Sequence, residues 1–206
     1  MGLFYLSTFM IPQIPPKTHS APIYRPEDKS LDIDINRRQT VRGGASTGFK
    51  CLDEYLTIKQ GFPLFVAGAP HHGKTQFIKQ LLVNLSRLHN WKHCVYLGED
   101  GSIEDIAIEL VEIYTGQPVR HHDDRGNEVE NALGESEFIN AFNWVNAHFW
   151  IVSPDDANVD TFDVTTFYQW VDEYESREGV KFNTTVIDPW NDLTFDLGSK
   201  GGREDL

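Results

Sequence analysis

The chain has 206 residues and a mass of 23.5 kDa, a length that suits one domain or two small ones. Its 18 basic and 31 acidic residues leave a net charge of −13, so a protein held to nucleic acid by overall charge is disfavoured and any such contact has to be local. With 40% hydrophobic, 12% aromatic and 24% charged residues, disorder throughout is excluded, and no apolar run approaches the roughly 20 residues that a membrane-spanning helix needs.

The first eleven residues, Met1 to Ile11, are apolar but have no basic leader, and they run into Pro12, Pro15 and Pro16 where a signal peptide would have a small-residue cleavage site. They read as a loosely attached arm. Gly2 raises N-myristoylation, but Leu6 stands where that motif wants Ser or Thr. Residues 12–48 hold five of the ten prolines together with Gly43, Gly44 and Gly48, and read as an extended linker. The expected division is residues 1–45 as arm and linker and residues 46–206 as the domain. Residues 1–60 carry 8 basic and 6 acidic side chains against 10 and 25 in residues 61–206, so the acidity belongs to the domain. The local bases Arg37, Arg38 and Arg42 are open to two readings, a subunit interface or a DNA contact. Cys51 and Cys94 are too few for a disulfide framework and lack metal-ligand spacing, which points to a reducing, cytosol-like setting.

From Leu64 onward, short apolar runs alternate with amphipathic stretches, the pattern of strands joined by helices into a mainly parallel sheet. The strand candidates are Leu64 to Ala67, His93 to Leu97, Phe149 to Val152 and Thr184 to Ile187. Phe77, Ile78, Leu81, Leu82, Leu85 and Leu88 share one helical face. Ser102 to Asp105 resembles a capping box ahead of a helix with Ile103, Ile106, Ala107, Leu110, Val111 and Tyr114 on its period. A further helix is expected around Phe138, Ile139, Phe142 and Val145, and another carries Val164, Phe167, Val171 and Tyr174 until Gly179 stops it.

Gly68-Ala-Pro-His-His-Gly-Lys-Thr75 fits G-x-x-x-x-G-K-[ST] and lies between an apolar strand and a helix, where a phosphate-binding loop belongs. Glycines let successive N–H groups point inward at phosphate oxygens, and the helix N-terminus adds partial positive charge. The nucleotide-binding set is therefore Gly68, Ala69, Pro70, His71, His72, Gly73, Lys74, Thr75 and Gln76. In it, Lys74 is expected on the β- and γ-phosphates of ATP and the Thr75 hydroxyl on Mg²⁺; His71 and His72 occupy unrestricted positions and receive no catalytic role. The apolar run Thr184 to Ile187 ends in Asp188, the expected metal-linked acid, held extended by Pro189; the alternative is an Asp-Pro turn opener. Glu99, just after the second strand, is the expected catalytic base for water, with Asp100 as alternative and an acidic turn as the plain reading of both. His121-His-Asp-Asp124 reads as a solvated loop, not a metal site. Among the five tryptophans, Trp190 alone stands close enough to Asp188 to suggest something other than core packing.

The set Thr47-Gly-Phe-Lys-Cys-Leu-Asp-Glu54, Pro63 to Thr75, Val95-Tyr-Leu-Gly-Glu99 and Val186-Ile-Asp-Pro-Trp-Asn191 resembles the RecA-type ATPase core of hexameric replicative DNA helicases, the DnaB and Twinkle group, phage relatives especially. The resemblance covers residues 45–195. It implies an α/β P-loop NTPase with a mostly parallel sheet flanked by helices, ATP and Mg²⁺ as ligands, Glu99 as catalytic glutamate, and a ring, a hexamer, on single-stranded DNA in a bacterial or phage-infected cytosol. The chain stops 18 residues after Asp188, before the segments that would carry the family's channel loops and intersubunit arginine. A domain incomplete at its C-terminus and poorly active in isolation is the expectation. The alternatives are a recombinase-like or regulatory ATPase, and a nucleotide-binding assembly module without hydrolysis.

Overall fold

A computed structural model describes residues 2–7, 43–69, 71–98, 102–122, 125–154 and 162–194, the first of these by backbone only. Five strands form one sheet: β1 (Gly2–Ser7), β2 (Leu64–Gly68), β3 (His93–Leu97), β4 (Phe149–Ile151) and β5 (Thr184–Asp188). Their order is β2-β1-β5-β3-β4. The helices are α1 (Lys50–Asp53), α2 (Lys74–His89), α3 (Ile103–Thr115), α4 (Glu135–His148) and α5 (Val164–Glu178), followed after β5 by a 3₁₀ turn at Trp190–Asp192. β5 pairs parallel with β3, and β3 with β4. β1 runs antiparallel to both β2 and β5, so those two are parallel to each other. The α/β class with a mostly parallel sheet flanked by helices holds.

The side chains alternate strictly through the sheet and divide the core in two. Val95, Leu97, Val186 and Phe149 face α2, α3 and α4 in one apolar cluster. Cys94 and Ile187 point the other way, against Phe167 and Val171 of α5 and against Phe162. Helices on both faces bury the sheet as a parallel arrangement requires. Leu81, Leu82 and Leu85 are fully buried, each worth about 2 kcal/mol of transfer free energy. The sequence pattern misplaces the margin of α2. Leu88, expected on the core face, is 56% exposed, while Lys79, Val83 and Ser86 are buried, because α2 is covered by α3 and by the segment around Thr47 as well as by the sheet. Lys79 Nζ reaches Glu109 Oε2 of α3 at 2.5 Å.

The caps follow the sequence closely. The Ser102 hydroxyl accepts the Asp105 N–H at 3.2 Å and donates to the Asp105 carboxylate at 2.9 Å, an N-cap held by its own side chain and that of the residue three positions on. Asp163 caps α5 in the same way, accepting from the Thr166 N–H at 2.7 Å, and Gly179 ends that helix in the left-handed conformation with φ 66°.

The first eleven residues, expected as a loosely attached arm, include one strand among the described residues. Gly2–Ser7 is a strand in the interior of the sheet, and the physical reason is an edge problem: β2 and β5 present facing rows of N–H and C=O groups one strand-width apart. Each such group left unpaired in the interior costs about 1–3 kcal/mol. The β-prone run Leu3 to Leu6 fills the gap.

Candidate phosphate and metal site

The sheet carries its chemistry at the carboxyl ends of β2 and β5, where open α/β sheets bind ligands. After β2, His71 takes φ 60° and Gly73 φ 74°, two left-handed residues that curl the loop into the start of α2. Gly73 caps that helix with no side-chain hydrogen bond, and no acidic residue sits in its first turn. The positive end of the helix dipole therefore faces the loop with no acidic side chain from the helix's own first turn beside it. Lys74 folds back over the loop, its Nζ donating to the Ala69 carbonyl at 2.9 Å. A Cβ on Gly68 would meet the Lys74 stem at 3.3 Å, so glycine suits this strand end because the lysine crosses it closely.

Across the site, the Thr75 hydroxyl donates to Asp188 Oδ2 at 2.7 Å, joining residues 113 positions apart. Asp188 is 5% exposed and shares a strand face with Val186, which directs its carboxylate toward α2. The Asp188 carbonyl accepts the Gly98 N–H at 2.9 Å, tying the end of β3 to the end of β5. Gly98 is tightly enclosed: a Cβ there would lie 2.2 Å from the Tyr96 hydroxyl oxygen and 2.6 Å from Asp192 Oδ2. Tyr96 in turn donates to Asp192 at 3.3 Å.

The structure thus brings Gly68, Lys74, Thr75 and Asp188 to one place, with His71, His72 and Gln76 exposed around it. Glu99, Asp100 and Pro70 lie outside the described residues, as do Asp123, Asp124, Arg37, Arg38, Arg42 and the tail from Phe195. His121 and His122 are exposed. Trp190 is half-buried and packs against the α5 cluster. Sequence reading missed Tyr96 and Asp192, whose proximity depends on β3 and β5 being neighbours and leaves no local signal.

The donor chemistry fits a magnesium nucleotide. A threonine hydroxyl and a carboxylate are hard oxygen ligands of the kind Mg²⁺ takes alongside its waters, and a lysine at a helix N-terminus suits phosphate.

A second constellation holds the loop helix from behind. Asp53 of α1 accepts from the Ser46 hydroxyl at 2.6 Å, the Thr47 N–H at 2.6 Å and the Thr47 hydroxyl at 2.7 Å. The Ser46 and Thr47 hydroxyls lower its pKa below the usual carboxylate value, by favouring the charged form. Asn84 of α2 then donates to the Thr47 carbonyl at 3.0 Å, and Phe49 stacks on Phe77 with centroids 5.4 Å apart. The Thr47-to-Asp53 lead-in is a clamp on α2.

Among the described residues, no helix is long and apolar enough to cross a membrane. No family model matches the chain, and no solved structure matches it. The chain is similar to the Twinkle homolog protein, chloroplastic/mitochondrial, of Arabidopsis thaliana, with 28% identity over 165 residues. That span is 79% of this chain and 22% of the relative, so the chain corresponds to about a fifth of that protein's length. The relative's name falls in the group that the motifs resemble, and the parallel sheet flanked by helices is consistent with a RecA-like core.

Proposed function

We propose that the chain binds ATP with Mg²⁺ and forms the nucleotide-binding part of a replicative helicase core of the DnaB and Twinkle type. The observation that carries this reading is the 2.7 Å contact between Thr75 and Asp188, which sets a hydroxyl and a carboxylate side by side next to the phosphate loop. Lys74 holds the β- and γ-phosphates, the loop N–H groups cradle the chain of phosphates, and Thr75 with Asp188 holds the metal. Bound Mg²⁺ supplies neutralisation of the phosphate charge. Glu99 follows Gly98, whose N–H is tied to Asp188, and serves as the base for the attacking water. In the assembled protein this core works as a ring, a hexamer, and couples ATP hydrolysis to movement on single-stranded DNA; the similarity to the Twinkle homolog supports that assembly.

Equilibrium titration with a fluorescent ATP analogue tests the site. Lys74→Ala removes charge-assisted contacts worth about 1.5–3 kcal/mol and is expected to weaken binding about 10- to 150-fold. Asp188→Asn is expected to bind in EDTA as the parent chain does and to lose the gain in affinity that Mg²⁺ provides. Glu99→Gln is expected to keep affinity and lower turnover by about 10²–10⁴ in the assembled protein. Unchanged affinity in Lys74→Ala would remove the phosphate-loop assignment.

A further inference from the structure

Two polar side chains meet at the carboxyl ends of β3 and β5 and take no part in the site described above. We propose that Tyr96 and Asp192 are positioning residues for Asp188: closed over the bare Cα of Gly98, they keep the end of β3 bonded to the end of β5 and so fix where the Asp188 carboxylate stands relative to Thr75. The proposal rests on the nucleotide reading for its consequence on Mg²⁺, whereas its structural part stands on the contacts alone.

Three observations carry it. The first is the rung that ties the two strands together. Among the described residues, the β3–β5 register ends with Leu97 opposite Asp188, and the Gly98 N–H donates to the Asp188 carbonyl at 2.9 Å just beyond that pair. Ladders open from their ends, and this end is an exposed glycine, the residue with the widest choice of backbone conformation.

The second is what restrains that glycine. The Tyr96 hydroxyl donates to Asp192 Oδ2 at 3.3 Å, joining residues 96 positions apart. Both partners press on Gly98: a Cβ there would overlap the Tyr96 hydroxyl and lie 2.6 Å from Asp192 Oδ2. The pair can close over this position only because the residue has no side chain. Tyr96 also packs edge-on against Phe162 with centroids 4.8 Å apart, so its ring belongs to the α5 face while Asp188 is directed to the α2 face. The restraint therefore comes from behind the metal ligand and leaves the ligand's own face clear.

The third is how Asp192 reaches this place. The 3₁₀ turn at Trp190–Asp192 follows almost directly on Asp188 and is closed by two bonds of 3.3 Å, Asp192 N–H to the Pro189 carbonyl and Leu193 N–H to the Trp190 carbonyl. Both are at the long end of the N–H···O range. The turn brings Asp192 back over the end of the neighbouring strand. Contacts then run without a gap from Asp192 through Tyr96, Gly98 and Asp188 to Thr75. Mg²⁺ demands near-ideal octahedral geometry, so a small displacement of Asp188 weakens metal binding. The phosphate contacts come from the loop after β2 and from Lys74, which this network does not touch. Loss of the latch should therefore separate metal-dependent from metal-independent affinity.

The test uses the whole chain with Tyr96→Phe, Asp192→Ala and Gly98→Ala, and with Asp192→Asn, which keeps an oxygen to accept from the tyrosine. Two readouts are taken: affinity for a fluorescent ATP analogue with Mg²⁺ and with EDTA, and amide hydrogen exchange at residue 98 without nucleotide. The first three variants are expected to bind in EDTA as the parent does, to lose about two- to tenfold of the gain that Mg²⁺ provides, and to exchange faster at residue 98. Asp192→Asn is expected to keep the gain within about twofold, and Tyr96→Phe combined with Asp192→Ala to lose no more than either alone, because both act through one contact. A parent-like Mg²⁺ gain in all three variants overturns the proposal. So does a loss that is equal in Mg²⁺ and EDTA, which a purely structural role would give. If Gly98→Ala fails to fold, Tyr96→Phe and Asp192→Ala decide by the same criteria. If the parent itself shows no Mg²⁺-dependent binding, the nucleotide reading falls; faster exchange at Gly98 in those two variants then supports the latch, and parent-like exchange overturns it.

Discussion

His71 shows how much a single residue can matter in the phosphate loop. It holds φ 60° in a region that non-glycine residues visit rarely, histidine less rarely than most. A β-branched side chain there is strained by about 1–3 kcal/mol. His71→Val is therefore expected to weaken ATP-analogue binding about 5- to 150-fold, whereas His71→Gly leaves it within about twofold, as read by titration at fixed Mg²⁺. The residue type at this position was free in the motif, and only the backbone shows that its conformation is not. Thr75 and Asp188 make the opposite case, since both were legible from the phosphate-loop pattern and from an apolar strand ending in an acid. Their separation of 2.7 Å was not legible, because it depends on where β5 sits in the sheet.

At the scale of elements, the lead-in before β2 has a mechanical role. Gly48 has φ 76°, and a Cβ there would lie 2.8–2.9 Å from the Asn84 side chain, which itself holds the Thr47 carbonyl. Gly48→Ala combines a left-handed backbone cost of about 1–2 kcal/mol with that overlap. It is expected to lower the thermal midpoint and to loosen α2, seen as faster amide exchange at Gln80 to Asn84, while Lys50→Ala on the exposed side of α1 changes neither. Helix α4 shows where pattern reading stops. Phe138, Ile139, Phe142 and Val145 look alike in sequence, but Val145 is 3% exposed and Ile139 49%, because only one edge of that face meets α3 and the sheet. β4 is similarly shorter than its apolar run, ending at Ile151, although the Val152 N–H still donates to the Val95 carbonyl at 2.8 Å.

For the whole molecule, a buried histidine links three elements and makes stability depend on pH. His93 of β3 is fully buried, contacts Thr184 of β5 through Nδ1, and contacts Ser86 of α2 through Nε2 at 2.9 Å. Burial pushes its pKa down from 6.5 to about 3, so the folded protein keeps it neutral while the unfolded chain protonates it below 6.5. Between those values the unfolded state binds more protons, and stability falls as pH falls. The slope from this one group is about 1.4 kcal/mol per pH unit, a loss that starts near 6.5 and runs toward 3. Denaturant titrations from pH 7 to pH 5 are expected to show that decline in the parent chain. His93→Gln is expected to start less stable and to decline less steeply; an equal slope would assign the pH dependence to other groups. Cys94, next in the strand, points to the opposite core, and burial raises its thiol to about 12, which keeps it protonated and unreactive at neutral pH.

By itself the sequence determined the class of fold and the chemistry on offer. Strand and helix periods are local, and the loop, its lysine and threonine and the acid after an apolar strand are each readable within a few residues. Tertiary structure alone decided the rest: that Gly2–Ser7 enters the sheet between β2 and β5, that Thr75 meets Asp188, that Lys79 is buried against Glu109, and that Asp53 clamps α2. These depend on strand order and register, which are settled by pairing between segments up to 182 residues apart in sequence, as Tyr5 with Ile187. A six-residue apolar run carries the propensity to be a strand, but the row of unpaired backbone groups that makes it one exists only after the other strands have assembled.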